Sequence, residues 1–422
     1  MKARECFQVS VVLCICLVPA TLRAQYDTLS TIESNLAVIA TLSGGTATNL
    51  ALTDSTNGVI QTVGIDLVDT NKDIARRNIW LLKIAKTNAP TKLLVTGTQH
   101  AREWVSYRVV LDAAQFILDN KNSNTWDSTD SRFEHFRQFK EMSISNLTSG
   151  AQIFMVPIVN PEGYQWSKTN DVPSPYGTGQ EGWRKNRRAT TNDTQAGNLG
   201  FHFIDDIIPG VDLNRNWPSV NWGTVSPTNP TTLIFTSRWT NDDLYCGKPT
   251  VTNWGGVSDS HSPIMEKETE ALVTLTSNHT FACLIDVHSY TGQVGWAEIT
   301  STSTAKLRPH SGMSDSNVFA RLAIQAAEMI TDPVTSAKYK AIASPYPTSG
   351  DILQWEYEHS GSNCLTFLIE AVNYKDYRPT NATAHAEKVL PGMLFMMFSA
   401  VDDSFASEPY ATFRKPGSPP PP

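Results

Sequence analysis

Apolar and polar positions follow two different spacings along the chain, and their succession predicts an α/β fold. Helical spacing occurs over 106–120 and 318–330, and Ser262 followed by Pro263 predicts the start of another helix over 263–277. Short apolar runs typical of buried strands occur at 78–85, 91–97, 151–161, 281–290 and 363–371. Because the two kinds of segment alternate, we expect an α/β sheet with helices on its faces.

Polar side chains close four of the predicted strands. These four residues are His100, Asn160, His288 and Glu370. Sites in open α/β sheets gather beyond the carboxyl ends of the strands. The pattern therefore predicts a functional site at that edge of the sheet.

The first residues of the chain have the pattern of a secretory signal peptide. Lys2 and Arg4 precede a short apolar stretch that ends in small residues, so we expect a signal over 1–24 with cleavage near Ala20 or Ala24. A short membrane anchor is the alternative, but the stretch is below the roughly 18 residues that a span requires. We therefore expect a secreted protein.

The rest of the chain divides by composition. Residues 25–405 are expected to form the folded domain, and within it 217–256, rich in Trp, Thr, Asn and Pro, are expected to form a long surface loop. Residues 406–422 end in a proline run and are predicted to be a Pro-rich flexible tail.

Cysteine usage leaves two alternatives open. Of six cysteines, removal of the signal leaves Cys246, Cys283 and Cys364. Cys283 and Cys364 lie in predicted buried strands, so we expect a disulfide between them, and three buried thiols are the alternative. Acceptor sequons, which suit a secreted surface, occur at Asn146, Asn192, Asn278 and Asn381.

Charge and hydropathy exclude two classes of partner. The net charge of −7 provides no basic field for nucleic acid. After the signal, no apolar run reaches the length of a membrane span. We therefore expect neither a nucleic-acid nor a membrane partner.

His100 and Glu103 are candidate metal ligands, with His288 as the third. An imidazole and carboxylate set suits zinc, and three protein ligands leave a position open for water, as catalysis requires. A lone H-x-x-E is a weak signal that often occurs by chance. The alternative for His288 is a buried strand histidine with no ligand role.

The segment "GVDLNRNWP" (210–218) adds donors suited to a carboxylate. The guanidinium of Arg215 can bind a carboxylate through two bonds, Asn214 adds further donors, and Asp212 is placed to orient a ligating histidine. Glu370 ends an apolar run, where a carboxylate is costly to bury unless it is used. The alternative for residues 210–218 is a solvated loop, and the alternative for Glu370 is a structural glutamate in a salt bridge.

Taken together, these motifs resemble the zinc metallocarboxypeptidases of the pancreatic A/B type. "HAREW", "NPEGY", "WRK", "GVDLNRNW", "HSY" and the glutamate closing "TFLIE" occur in that family's order and at similar spacings. The resemblance covers about residues 25 to 400, so it implies one zinc carboxypeptidase-like catalytic domain. We therefore expect a single α/β domain with a central mixed, mostly parallel twisted sheet flanked by helices. It also implies peptide or protein substrates with a free C-terminus, and we expect a monomer.

The resemblance implies a role for each matching residue. One zinc ion per chain would be held by His100, Glu103 and His288. Glu370 would act as general base and then acid, and Arg184 would stabilise the oxyanion. The substrate's terminal carboxylate would be bound by Asn214, Arg215 and Tyr346. Arg102 and Tyr290 would line the subsites upstream of the scissile bond.

Two departures from the family bear on regulation and selectivity. The segment between the signal and His100 has no room for an added inhibitory propeptide, so we expect none.

Leu353 takes the position that sets side-chain selectivity, which favours apolar or aromatic C-terminal residues. Asp351 stands where the family has glycine, and a preference for basic residues is the alternative. A non-catalytic peptide-binding protein and an enzyme that deacylates small amino-acid conjugates are the further alternatives.

Overall fold

The structure is a computed structural model. It describes residues 26–42, 47–51, 61–62, 77–85, 88–134, 136, 142–169, 182–186, 211–218, 265–296, 315–343, 350–359, 364–374 and 376–401. The predicted signal peptide, nearly all of the predicted 217–256 loop and the predicted tail lie outside these ranges. Of the sequon asparagines, those inside them are exposed, namely Asn146, Asn278 and Asn381.

Eight of the described strands form one sheet. The strands are β1 Ala47–Ala51, β2 Gln61–Thr62, β3 Arg77–Asn78, β4 Trp80–Ile84, β5 Thr91–Gly97, β6 Ala151–Val156, β7 Cys283–His288, β8 Gln293–Trp296, β9 Lys340–Ala343 and β10 Leu365–Glu370. The sheet order is β1-β4-β6-β5-β7-β10-β8-β9, and β2 pairs only with β3. The central strands β6, β5, β7 and β10 run parallel, whereas β1, β4 and β8 add antiparallel pairs. This confirms the predicted mixed, mostly parallel sheet.

Helices flank the sheet in the described part of the chain. They are α1 Leu29–Leu42, α2 Trp104–Asp119, α3 Ile144–Gly150, α4 Pro161–Thr169, α5 Lys267–Asn278, α6 Asp315–Met329, α7 Ile352–His359 and α8 Ala382–Val401. Helices α2 and α8 pack on each other and on β5 and β7, while α7 packs on β10 and β7. None of these described helices combines the length and apolarity needed to cross a membrane.

The core lies at the centre of the parallel strands. Val95 on β5, Ile285 on β7 and Phe367 on β10 stand side by side in register, and each is fully buried. Because these strands are buried on both faces, their sequences are continuous apolar runs. Because β5, β7 and β10 are neighbours, the residues that follow them meet at one edge.

Two predicted element boundaries are wrong by four residues or more. The strand predicted over 151–161 ends at Val156, and Pro161 begins helix α4. Proline suits the first helical position because its missing N–H has no partner there in any case. Asn160 caps this helix, its Oδ1 accepting from Gly163 N over 2.9 Å. The "NPEG" segment is therefore a helix start.

The helix predicted over 263–277 begins later, at Lys267. Glu266 is extended, with φ −67° and ψ 156°, because tertiary hydrogen bonds hold it. Its N–H donates to Asn216 Oδ1 over 2.7 Å, and its carboxylate accepts from Asn186 Nδ2 over 2.9 Å. Ser262 and Pro263 lie outside the described residues.

The predicted disulfide between Cys283 and Cys364 is wrong, since both thiols are buried and free. Cys283 pairs in register with Leu365, so Cys364 is one position out of step with it. Successive positions of a strand point to opposite faces of the sheet, which does not suit a bridge between these two residues. Burial raises the pKa of both thiols well above its usual range. Cys246 lies outside the described residues.

Candidate active site

His100, Glu103 and His288 converge at the carboxyl edge of the sheet. His100 and Glu103 occupy the turn between β5 and α2, where Glu103 N donates to His100 O over 3.0 Å. His288 is the last residue of the neighbouring strand β7. Its Nδ1 lies 3.0 Å from His100 Nδ1 and 2.8 Å from Glu103 Oε2, and His100 Nδ1 lies 2.7 Å from Glu103 Oε1. All three side chains are buried.

This donor set fits a zinc ion. Within the described residues, one ligand atom from each of the three side chains lies within 4.8 Å of the other two. Each histidine points its Nε2 at a separate carboxylate, Asp212 for His100 at 3.2 Å and Asp286 for His288 at 2.6 Å. A histidine that donates one ring N–H to a carboxylate keeps the lone pair of its other nitrogen for a metal. Two imidazoles and a carboxylate, with a fourth position open, are a ligand set of catalytic zinc sites.

The electrostatics of the cluster favour charged groups. Burial acts to raise the pKa of Glu103, but His100 and His288 lower it well below its usual range. Burial acts to lower the pKa of His288, yet Asp286 and Glu103 raise it well above the ordinary value. The carboxylates of Asp286 and Glu103 therefore favour positive charge at His288, which a bound metal ion would supply in place of a proton.

Glu370 stands beside this cluster. It ends β10 in register with His288 on β7 and is partly exposed. Among the described residues nothing donates to its buried Oε2. Burial and the charge of Glu103 raise the pKa of Glu370 to about 8, against the opposing effect of His288 and Arg184. A carboxyl group with this pKa and a free oxygen is suited to proton transfer.

Arg184 is held at the same edge. Its Nε donates to Asp212 Oδ2 over 2.8 Å, and its Nη1 lies 3.9 Å from Glu103 Oε1. Its backbone carbonyl accepts from Ala101 N over 2.9 Å, which ties its segment to the turn that carries His100. The guanidinium is therefore fixed close to the three candidate ligands.

Asn214 and Arg215 lie on a 3-10 turn over Leu213–Arg215, which Asp212 caps by accepting from Asn214 N over 3.0 Å. Asn214 Nδ2 lies 3.4 Å from His288 Nε2, and Asn214 Oδ1 accepts from Ile352 N over 3.2 Å. The buried Arg215 donates through Nη1 to Asn214 O over 2.6 Å. Tyr346, the predicted third anchor, lies outside the described residues.

Arg102 and Tyr290 share an aromatic partner that the sequence did not indicate. The Arg102 guanidinium lies 4.5 Å from the ring centroid of Tyr377, and that ring lies 4.9 Å from the ring of Tyr290. Tyr377 belongs to no apolar run and to none of the motifs, so only the fold reveals it. The three side chains form one cluster next to the turn that carries Glu103.

The two candidate selectivity residues differ in their surroundings. Leu353 lies buried in the first turn of α7. Asp351 precedes that helix, and its Oδ1 accepts from Gln354 N over 2.9 Å, so its carboxylate caps the helix. On β10, the partly exposed Leu368 shares a face with Glu370, because alternate residues of a strand point the same way.

Three buried residues around His288 also went unrecognised in the sequence. They are Thr96, Gln99 and Asp286. Asp286 precedes His288 by two positions on a strand, and such residues share a face. The D-x-H spacing in "IDVHSY" therefore indicates that Asp286 lies next to His288.

Three candidate metal ligands beside a glutamate and an arginine, at the carboxyl edge of a mixed sheet, are the arrangement expected of a metal-dependent hydrolase. The chain belongs to the zinc carboxypeptidase family, whose model matches residues 66–385. It is 23% identical to mouse (Mus musculus) carboxypeptidase A4 over 316 residues, which cover 74% of this chain and 58% of that protein. It is 28% identical to mouse mast cell carboxypeptidase A over 284 residues, covering 66% and 52%. The chain thus spans between half and two thirds of these relatives' length.

A solved structure supports the fold. Bovine thrombin-activatable fibrinolysis inhibitor, in complex with tick carboxypeptidase inhibitor, matches with a TM-score of 0.57 and 17% identity. The match covers 90% of this chain and 98% of that one. At this identity the likeness shows a common architecture.

Proposed function

We propose that the protein is a secreted, zinc-dependent carboxypeptidase that hydrolyses the last peptide bond of peptides and proteins. The observation that carries the proposal is the convergence of His100, Glu103 and His288 beside Glu370. Secretion is supported by the signal-like pattern of residues 1–24 and by the exposed sequons.

In this proposal the three converging side chains hold zinc, and the neighbouring groups carry out the proton transfers. When bound, zinc supplies Lewis acidity that activates water and polarises a carbonyl. Glu370 accepts the proton of the attacking water at its free carboxylate oxygen and later returns it to the leaving amine. Arg184, oriented by Asp212, donates to the carbonyl oxygen as negative charge develops there.

Asn214 and Arg215 account for exopeptidase selectivity. Asn214 Nδ2 lies 3.4 Å from His288 Nε2, and Arg215 follows Asn214 on the same turn. Tyr346 would complete the anchor for the terminal carboxylate. A substrate without a free terminus would lack the carboxylate that these groups are proposed to bind, which penalises internal cleavage. Arg102 and Tyr290, joined by Tyr377, would contact residues upstream of the bond.

For the C-terminal side chain we propose an apolar or aromatic preference. Leu353 is buried in the first turn of α7, and Leu368 supplies apolar surface on the face of β10 that carries Glu370. The alternative, recognition of basic residues through Asp351, is disfavoured because that carboxylate already caps α7. A non-catalytic peptide-binding protein is disfavoured because the full ligand set and Glu370 are all present.

A panel of blocked dipeptides that differ only in the last residue tests the proposal. We expect hydrolysis of Phe- and Leu-terminated substrates, at least about 10-fold faster than of Lys- or Arg-terminated ones, since a misplaced charge in an apolar pocket costs on the order of 1–3 kcal/mol. A chelator should abolish the activity and added zinc restore it. Glu370→Gln should retain zinc but lose about 10²–10⁴-fold in turnover. Chelator-resistant hydrolysis, or near-normal turnover by the Gln variant, would contradict the assignment.

A further inference from the structure

We propose that Asp286 is a positioning residue that fixes the orientation and tautomer of His288 and thereby sets the metal affinity of the site. The inference rests on the metal centre of the proposed function. It concerns a carboxylate that lies behind the ligand and is not itself one of the three candidate ligands.

The geometry around His288 carries the inference. Asp286 is fully buried, and its Oδ2 lies 2.6 Å from His288 Nε2. The opposite ring nitrogen, Nδ1, is the one that faces His100 and Glu103. A carboxylate on Nε2 keeps the hydrogen there, so that Nδ1 presents its lone pair to the metal.

Asp286 is itself held in place by neutral donors. Thr96 Oγ1 donates to its Oδ1 and Gln99 Nε2 to its Oδ2, both over 2.6 Å. Among the described residues, these two donors and His288 are its side-chain partners. Asp212, by contrast, divides its charge between His100 and Arg184. The negative charge of Asp286 is therefore directed at His288.

The network also reaches the segment that carries the carboxylate anchors. Gln99 Oε1 accepts from Trp217 Nε1 over 3.2 Å. Trp217 N donates in turn to Gly350 O over 2.9 Å, next to helix α7. Gln99 thus joins the carboxylate behind His288 to the 211–218 segment, so the ligand and the anchors keep a fixed relative position.

Zinc affinity of the purified full chain, measured by competition with a chromogenic chelator, tests the inference. Asp286→Asn preserves the shape of the side chain and removes its charge, so we expect zinc binding to weaken by about 10–100-fold. The absorption spectrum of the cobalt-substituted variant should also differ from that of the wild type. The matched control is Asp332→Asn, which neutralises another buried carboxylate, 3.6 Å from a histidine outside the site, His385. It should leave zinc affinity and the cobalt spectrum unchanged.

A second pair of variants keeps the test decisive if Asp286→Asn does not fold. Thr96→Val and Gln99→Met each remove one donor to Asp286 and should weaken zinc binding in the same direction, by a smaller factor of about 2–10. Wild-type affinity in all folded variants of this set would overturn the role of Asp286. A wild-type protein that binds no zinc would instead overturn the proposed function, so the two failures can be told apart.

Discussion

Arg184 donates through Nε to Asp212 Oδ2 over 2.8 Å, and the other oxygen of the same carboxylate lies 3.2 Å from His100 Nε2. Asp212 therefore orients a candidate metal ligand and the guanidinium proposed to act on the substrate. Burial acts to raise its pKa, but Arg184 and His100 lower that pKa well below its usual range, so the carboxylate stays charged. Because Asp212 contacts Arg184 and His100 through different oxygens, substitution of Arg184 should change turnover without changing metal binding.

Arg184→Ala should reduce turnover while sparing the metal. Removing one preorganised donor to a developing oxyanion costs about 10²–10³ in kcat. His100 keeps its bond to Asp212, so zinc affinity should remain within about 3-fold of wild type. Steady-state kinetics and chelator competition check the two parts. Arg132→Ala, which removes a surface arginine paired with Asp130, should change neither. Loss of zinc binding in Arg184→Ala would show that the guanidinium supports the metal centre and not the reaction.

Arg215→Ala should discriminate between substrates by their terminus. The variant loses a two-pronged partner for a carboxylate, so peptides with a free C-terminus should lose about 10²-fold or more in kcat/KM. Amidated peptides, which lack that group, should change by less than about 3-fold. Arg215→Lys keeps the charge without the planar fork and should fall between. Equal losses on both kinds of peptide would remove the anchor role.

The sequence predicted those parts of the site that depend on local order. The strand over 91–97 has the predicted bounds, and it delivers His100 and Glu103 to the edge where His288 and Glu370 also lie. These positions follow from apolar runs and from the rule that parallel strands end together. For the same reason the α/β sheet with flanking helices was predictable, whereas its mixed, mostly parallel order was implied by the family resemblance.

Contacts between distant segments were not predictable in this way. The start of α5 is set by Asn216 and Asn186, which lie at least 50 positions away along the chain, so cap preferences alone misplaced it. The predicted disulfide between Cys283 and Cys364 was wrong because the strand register, which the sequence does not show, puts the two cysteines one position out of step. Tyr377 and Gln99 were not predicted because they are part of the site through contacts with residues on other elements.

Glu268 gives the stability of the fold a predictable dependence on pH. Burial and the neighbouring Glu266 raise the pKa of Glu268 from 4.5 to about 8. Between these values the folded protein keeps a proton that the unfolded chain releases. The free energy of unfolding therefore falls as the pH rises from 4.5 to 8. Glu268→Gln removes this loss.

The measurement is Tm in the presence of a chelator, at pH 5 and at pH 8.5. We expect Glu268→Gln to exceed wild type by several degrees, on the order of 4–8 °C, at the higher pH and to differ little at the lower. Glu270→Gln is the matched control, because it removes a carboxylate from the same helix at a position paired with the exposed Lys267. A constant Tm difference across the pH range would contradict the raised pKa.

Gly163 is the residue of α4 that lets the Arg184 segment approach. A Cβ at this position would lie 2.5 Å from Asn160 Oδ1 and 2.6 Å from Lys185 O, which are distances that no side chain tolerates. Gly163→Ala must therefore disturb the Asn160 cap or displace the backbone next to Arg184. We expect a loss of about 1–3 kcal/mol, seen as a Tm lower by several degrees, together with reduced kcat. Gly295→Ala, whose Cβ would lie 3.4 Å from Leu368 Cβ, is the control and should keep a Tm within about 2 °C of wild type. If Gly163→Ala instead has the Tm of the wild type and retains full kcat, the segment carrying Arg184 can move without consequence. The position of Arg184 beside His100 is then not held by this helix.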